Sequence, residues 1–218
     1  MLFCLTVTTN FQTRNAKRMN KALIIGITGG IGSGKSTLST KLRTEGYSVY
    51  DSDVEAKRLQ NEHPEIRKQL VDLFGDEVFT SQGLNRAALA KLVFGKADLL
   101  AQLNAIVHPV VRKDFISWIK NHNNEKLLFV ESAILFESGF NVLVDKVILM
   151  TASEAVRLAR VVKRDVISPE HVRARMAHQL PDESKISRAD FIIHSDDNQP
   201  LDPKMRKVLE ELLKSVEK

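Results

Sequence analysis

Eight consecutive residues, Gly29-Gly30-Ile31-Gly32-Ser33-Gly34-Lys35-Ser36, fit the pattern G-x-x-x-x-G-K-[ST] and stand between an apolar run and a helix-forming one. Glycines in such a loop let successive backbone N–H groups turn inward around phosphate oxygens. The amino end of the helix that follows adds a field favouring negative charge. Gly30, Ile31, Gly32, Ser33, Gly34, Lys35, Ser36 and Thr37 are therefore expected to hold nucleotide phosphates, with Lys35 reaching the β- and γ-phosphates and the Ser36 hydroxyl ligating Mg²⁺. A glycine-rich turn with an exposed lysine is the alternative. No N-K-x-D guanine-reading motif follows, which argues against a GTPase.

Three carboxylates are candidates for work beside that loop. Asp51 and Asp53 stand where a second apolar strand ends, and open α/β sheets bind ligands at the carboxyl edge of their strands. One of them is placed to accept a proton from an acceptor hydroxyl; otherwise Asp51 only ends the strand and Asp53 only caps the helix expected over Val54–Gln60. Glu131 closes the third strand, either as a partner of the Mg²⁺ shell through water or as a solvated strand-end carboxylate.

The elements that must position these groups are legible as hydrophobic patterns. Ala22–Ile27, Tyr47–Tyr50, Leu127–Val130, Lys146–Met150 and Asp190–Ile193 are short apolar runs of the kind buried on both faces. Five such strands separated by helical segments predict an α/β doubly wound parallel five-stranded sheet. The first helix is expected from Lys35 to about Glu45, stopped by Gly46. Between the second and third strands, residues 53–122 read as an almost wholly helical insertion, much longer than a crossover connection needs. Within it, Pro64–Phe74 should stop at Gly75, Asn85 should cap a helix beginning at Arg86, and Pro109 should open a helix with Val111, Phe115, Trp118 and Ile119 on its apolar face. After the fourth strand, Ser153 and Ser168 are start signals for two arginine-rich helices, and Pro203 for a last amphipathic one.

Taken together, IGITGGIGSGKST (Ile25–Thr37), VYDSDVEAKRL (Val49–Leu59), LNRAALAKLVF (Leu84–Phe94), LNAIVHPVVR (Leu103–Arg112), AILFESG (Ala133–Gly139), RLARVVKRD (Arg157–Asp165), HVRARMAHQ (His171–Gln179) and ADFII (Ala189–Ile193) resemble the dephospho-coenzyme A kinase family, from about Lys21 to the end. The resemblance implies a P-loop kinase fold with a nucleotide-binding core over 19–52 and 123–218, a helical acceptor-binding insertion over 53–122, and an arginine-bearing lid over about 157–179. It also implies ATP and Mg²⁺ as cofactors and phosphorylation of the ribose 3′-hydroxyl of dephospho-coenzyme A, the last step of coenzyme A biosynthesis. Asp53 matches the family's proposed catalytic base, Arg160 and Arg164 its lid arginines, and His108 with Arg112 the edge of its acceptor site, although a histidine before a proline can also be a buried, hydrogen-bonded residue. Two departures stand out. Ala133 replaces a common proline, and His194-Ser195-Asp196-Asp197-Asn198 replaces the asparagine–glycine turn near the adenine. Another small-molecule or nucleoside monophosphate kinase is the nearest rival, and a nucleotide-regulated binding protein the rival from a different class.

Composition narrows the partners. The 218 residues carry 32 Lys and Arg against 27 Asp and Glu, but three of those bases, Arg14, Lys17 and Arg18, lie before Met19 among no acids. The remainder is nearly neutral, so no nucleic-acid partner is expected. No apolar run approaches the roughly 20 residues that span a bilayer, so the protein is expected to be soluble and free of membrane partners. The single cysteine, Cys4, fits a reducing, cytoplasmic location. Met1–Val7 is too short and wrongly flanked for a secretory signal, and residues 1–18 read as a dispensable extension or an upstream start-codon choice. Nothing in the sequence sets the oligomeric state.

Overall fold

The computed structural model describes residues 22–177, 179–196 and 199–217. The extension expected at residues 1–18 lies outside them. The apolar runs form β1 (Leu23–Thr28), β2 (Ser48–Asp51), β5 (Leu127–Glu131), β6 (Lys146–Thr151) and β7 (Phe191–His194), joined in one parallel sheet of order β2-β5-β1-β6-β7. This is the doubly wound α/β sheet that the sequence predicts. The connection leaving β1 runs to the β2 edge and that leaving β6 to the β7 edge, so the crevice between opposite windings opens at the carboxyl ends of β1 and β6.

The described residues divide into two compact units, one on either side of the insertion, before Ser52 and from Trp118 on, and one of Ser52–Ser117. In the sheet unit, alternation sorts side chains to two buried faces. Ile25, Ile27, Leu127, Phe129, Ile148 and Met150 pack with Leu38 and Leu42 of α1 (Lys35–Thr44) and with Met205, Leu209 and Leu212 of the last helix. On the other face Gly26 leaves room for Leu135, whose Cδ2 would lie 2.8 Å from an added Cβ. All five residues of β5 are buried, as a central strand covered on both sides requires. Helices α6 (Glu154–Asp165), α7 (Pro169–Met176), α8 (Asp182–Ile186) and α9 (Leu201–Val216) complete the unit.

The second unit comprises α2 (Ser52–Glu62), α3 (Pro64–Phe74), α4 (Arg86–Val93), most of α5 (Ala97–Asn121) and a small hairpin of β3 (Phe79–Thr80) with β4 (Gly83–Leu84). Its core includes Leu59, Ile66, Leu70, Val78, Leu89, Val107, Val111 and Phe115. Helix α3 has Pro64 in its first turn and stops at Gly75, and Asn85 Oδ1 accepts the Ala88 N–H at 3.1 Å, a cap worth about 1 kcal/mol.

Several expected boundaries move. Pro109 does not open a helix; it lies inside the 25-residue α5. A proline there forgoes one backbone bond at a cost of about 3 kcal/mol, which burial of Val107 on one side and Val111 and Phe115 on the other offsets. Helix α9 begins at Leu201, two residues before Pro203, because the first-turn N–H groups have no intrahelical acceptor and a proline in that turn loses nothing. Helix α2 starts at Ser52 instead of Val54, with Asp53 and Glu55 in its first turn, where acids favour the helix dipole. The β3–β4 hairpin interrupts an insertion that reads as wholly helical; Gly83 takes φ +109° there, and the Leu84 N–H donates to Asn61 Oδ1 at 3.0 Å. Strands β1, β2 and β7 are displaced by one residue from the apolar runs, ending at Thr28, Asp51 and His194.

Candidate active site

The phosphate loop is built by two neighbours in sequence. Strand β1, covered on both faces, delivers Thr28 to the carboxyl edge of the sheet, and α1 begins only seven residues later at Lys35. Gly34 supplies the N-cap with φ +96° and carries no capping side chain, so the amino end of α1 is left to what the loop encloses. Lys35 is only 8% exposed, and its ammonium donates to the carbonyls of Gly29 (2.9 Å) and Gly30 (3.1 Å). A cation curled back on its own loop lies at the place where a phosphate would draw it forward.

On the β5 side, the Ser36 hydroxyl donates to Glu131 Oε1 at 2.9 Å. Glu131 is 6% exposed, and its other oxygen, Oε2, is buried with no hydrogen-bond partner among the described residues. Burying an unsatisfied carboxylate oxygen is costly, so this atom is the kind that takes a metal-bound water. Asp51 is the register partner of Glu131 across β2 and β5, which brings two carboxylates to adjacent strand ends. Asp53 stands two residues further on, in the first turn of α2, with its side chain exposed.

Helix α6 packs directly against the loop. A Cβ at Gly30 would fall on Arg157 Nη1, the movable end of a long side chain, whereas one at Gly32 would lie 2.6 Å from the Arg157 backbone carbonyl, so close approach requires the glycine at 32. Arg157 pairs with Asp182 at 3.8 Å. Arg160, one turn on, donates to the Gly32 carbonyl (3.3 Å), Ser195 Oγ (2.8 Å) and the Ser195 carbonyl (2.8 Å). Arg164 does not join them. Its guanidinium is bound to Asp165 at 2.7 and 3.1 Å, which raises its pKa above the ordinary arginine value, and Asp165 also accepts from Arg175.

Sequence reasoning missed three residues at the loop: Arg157, Gln179, whose Oε1 accepts the Ile31 N–H at 2.9 Å, and Ser195. Arg157 could have been found from its spacing, since it precedes Arg160 by one helical turn. Gln179 and Ser195 carry no such signal. The bond to Gln179 also means that the Ile31 N–H, expected to face phosphate, is already occupied. Behind this network Lys185 is fully buried, 3.8 Å from Glu137, and burial pushes its pKa down against the pull of Glu137 and Asp182. Glu137 in turn accepts the Leu180 N–H at 2.9 Å, tying the segment before α8 to the turn after β5.

His108 and Arg112 lie one turn apart on α5, in the helical unit. Burial, and then the Arg112 charge, push the His108 pKa below its ordinary value, so the ring is neutral at pH 7. Arg112 is itself lowered by burial.

Comparison with known proteins bears on this arrangement. The family model for dephospho-CoA kinase matches residues 23–200. The dephospho-CoA kinase of Bacteroides fragilis is 40% identical over 195 residues, covering 89% of this chain and 95% of its own. That of Porphyromonas gingivalis is 46% identical over 162 residues, 74% of this chain and 80% of its own. The structure of the dephospho-CoA kinase from Campylobacter jejuni superposes with a TM-score of 0.64 at 28% identity, covering 88% of this chain and 98% of that one. A match that runs from β1 through the phosphate loop, the helical unit and the arginine helices to the residue before α9 takes in every element described above except α9, and the chain belongs to the dephospho-CoA kinase family.

Proposed function

We propose that this protein transfers the γ-phosphoryl group of ATP to the ribose 3′-hydroxyl of dephospho-coenzyme A, giving coenzyme A and ADP. The observation that carries this reading is the convergence of Lys35, the Ser36–Glu131 pair and Arg160 on one glycine loop, in a chain of this family. Phosphoryl transfer through a loose transition state asks for charge placed around the moving group more than for covalent help. The acceptor oxygen attacks the γ-phosphorus, the bond to the β–γ bridging oxygen breaks, ADP departs, and the hydroxyl proton passes to a carboxylate. Lys35 follows the β- and γ-oxygens, and Arg160 meets the charge that develops during transfer. Asp53 is assigned as the proton acceptor on the strength of the family resemblance, and Asp51 is its nearest rival in sequence.

Mg²⁺ suits the site. The Ser36 hydroxyl is a hard oxygen ligand, and the unpartnered Oε2 of Glu131 suits a metal-bound water; magnesium keeps several waters and needs few protein ligands. When bound it neutralises charge on the triphosphate. The adenine is assigned to a cavity of about 250 Å³ at the carboxyl ends of β6 and β7, lined by Thr37, Met150, His194 and Leu201 and bordered by Arg160 and Ser195. The helical unit, with His108 and Arg112, is assigned the acceptor. A cytoplasmic location is supported by the single cysteine, and no described helix is long and apolar enough to cross a membrane.

The reading is tested by following ADP release with ATP, Mg²⁺ and dephospho-coenzyme A, beside adenosine, AMP and pantothenate as acceptors. Release dependent on dephospho-coenzyme A alone is expected. Turnover with AMP and none with dephospho-coenzyme A would replace the acceptor.

A further inference from the structure

Ser195 follows β7 directly and stands in the segment that departs from the family pattern. Its backbone is fixed to the sheet by the bond from its N–H to the Thr151 carbonyl (2.9 Å). Its hydroxyl donates to the Ser33 carbonyl (2.9 Å) and accepts from Arg160 Nη1 (2.8 Å), while its carbonyl accepts from Arg160 Nη2 (2.8 Å). The side chain also lies 3.5 Å from where a Cβ on Gly34 would be. One residue thus grips the guanidinium at two points and the phosphate loop at a third.

We infer that Ser195 is a positioning residue that clamps Arg160 onto the phosphate loop, holding its charge ready for a bound triphosphate. The three arginines of α6 show why the chemistry of the clamp matters. Arg164 is held by the Asp165 carboxylate, so its positive charge is answered within the protein, and Arg157 faces the Asp182 carboxylate at 3.8 Å. Arg160 is held by a hydroxyl and two carbonyls, which fix its direction without cancelling its charge. Asp196, the next carboxylate, is close enough to be stabilised by Arg160, but its Oδ2 accepts the Ser153 N–H at 2.6 Å. A long arginine side chain loses considerable rotamer freedom when it binds, and a clamp in place beforehand removes that cost from the binding step.

The inference rests on the reading that the loop holds a nucleoside triphosphate, but not on the identity of the acceptor. A double-mutant cycle in the affinity for a non-hydrolysable ATP analogue with Mg²⁺, measured by calorimetry, tests it. Ser195→Ala should weaken binding about tenfold, as expected for losing a hydrogen bond to a charged group. On an Arg160→Ala background the same change should cost less than about twofold, because the clamp then holds nothing. Ser195→Thr, which keeps the hydroxyl, should restore the affinity. Arg160→Lys provides a second route independent of Ser195: an ammonium keeps the charge but not the planar two-point grip, and it should bind as weakly as Ser195→Ala. A Ser195→Ala loss that persists in full without Arg160 would overturn the inference, since the hydroxyl would then act only through the Ser33 carbonyl. Wild-type affinity in Ser195→Ala or in Arg160→Lys would do so too. If the acceptor is wrong, turnover with dephospho-coenzyme A fails while this cycle still reports on the clamp.

Discussion

In the sheet unit Arg160 is held by two carbonyls and a hydroxyl, whereas in the helical unit Arg58 is ringed by Glu55, Glu62 and Asp114 at 2.6, 3.1 and 3.0 Å. The hydrogen bond to Glu55, with help from Glu62, holds the Arg58 guanidinium above the ordinary arginine pKa. The two arrangements have different uses. Exposed pairs such as those of Arg58 are worth about 0–1 kcal/mol each, and the one with Asp114 ties α2 to α5. Groups fixed by neutral partners keep their field for something outside the protein. The Arg160 charge is thus left available to a ligand, and the Arg58 charge serves construction.

The sharpest way to break that contrast is at Lys35. Lys35→Ala should lower kcat by on the order of 10³ with the melting temperature little changed, because the ammonium lies on the phosphate loop, donating to its Gly29 and Gly30 carbonyls, and contributes little to the apolar core. Near-wild-type turnover in a folded variant, measured by ADP release, would show that the loop lysine is structural. Asp53→Asn should cost on the order of 10² to 10³ in kcat and remove the acidic limb of the kcat–pH profile, as expected of a general base. Asp51→Asn should be milder. Because Asp51 is the register neighbour of Glu131, the reverse ranking would move the base to Asp51.

The arginines sharpen the comparison within a single helix. Arg160→Ala should lower kcat/KM for ATP by roughly 10². Arg164→Ala should fall by less than about tenfold, because its charge is engaged by Asp165. Equal losses at the two positions, in the same steady-state assay, would mean that Arg164 leaves Asp165 during turnover.

The smallest effect is expected in the helical unit. His108 has a folded pKa below its ordinary value, so between that value and about 6.5 the unfolded chain binds the extra proton and the folded one does not. Stability should therefore decline as pH falls through that window. His108→Gln should flatten the decline, and an unchanged slope of melting temperature between pH 7.5 and 5 would show that burial does not hold the ring neutral.

Much of this was legible in the residues, for physical reasons that also explain what was not. A phosphate loop is a local object: strand, glycines and lysine are contiguous, so Gly29–Thr37 announces itself. The five strands were readable because strands buried on both faces are continuously apolar. Pro109 misled because proline usually opens helices, and only the tertiary burial of α5 keeps the helix intact across it. Arg160 and Arg164 look alike in sequence, and what separates them is Asp165 beside one and Ser195, 35 residues away, beside the other. Gln179 at Ile31 is likewise a contact across 148 residues of chain, which no spacing rule encodes.

The central claim is that phosphate moves from ATP to one particular hydroxyl. It is tested most directly by a two-dimensional proton–phosphorus correlation spectrum of the product formed from ATP, Mg²⁺ and dephospho-coenzyme A. The account requires a new phosphomonoester resonance coupled to the ribose 3′ proton, with ADP formed in equal amount. ADP release without any new phosphomonoester, or a phosphorus resonance coupled to the 2′ proton, would contradict it.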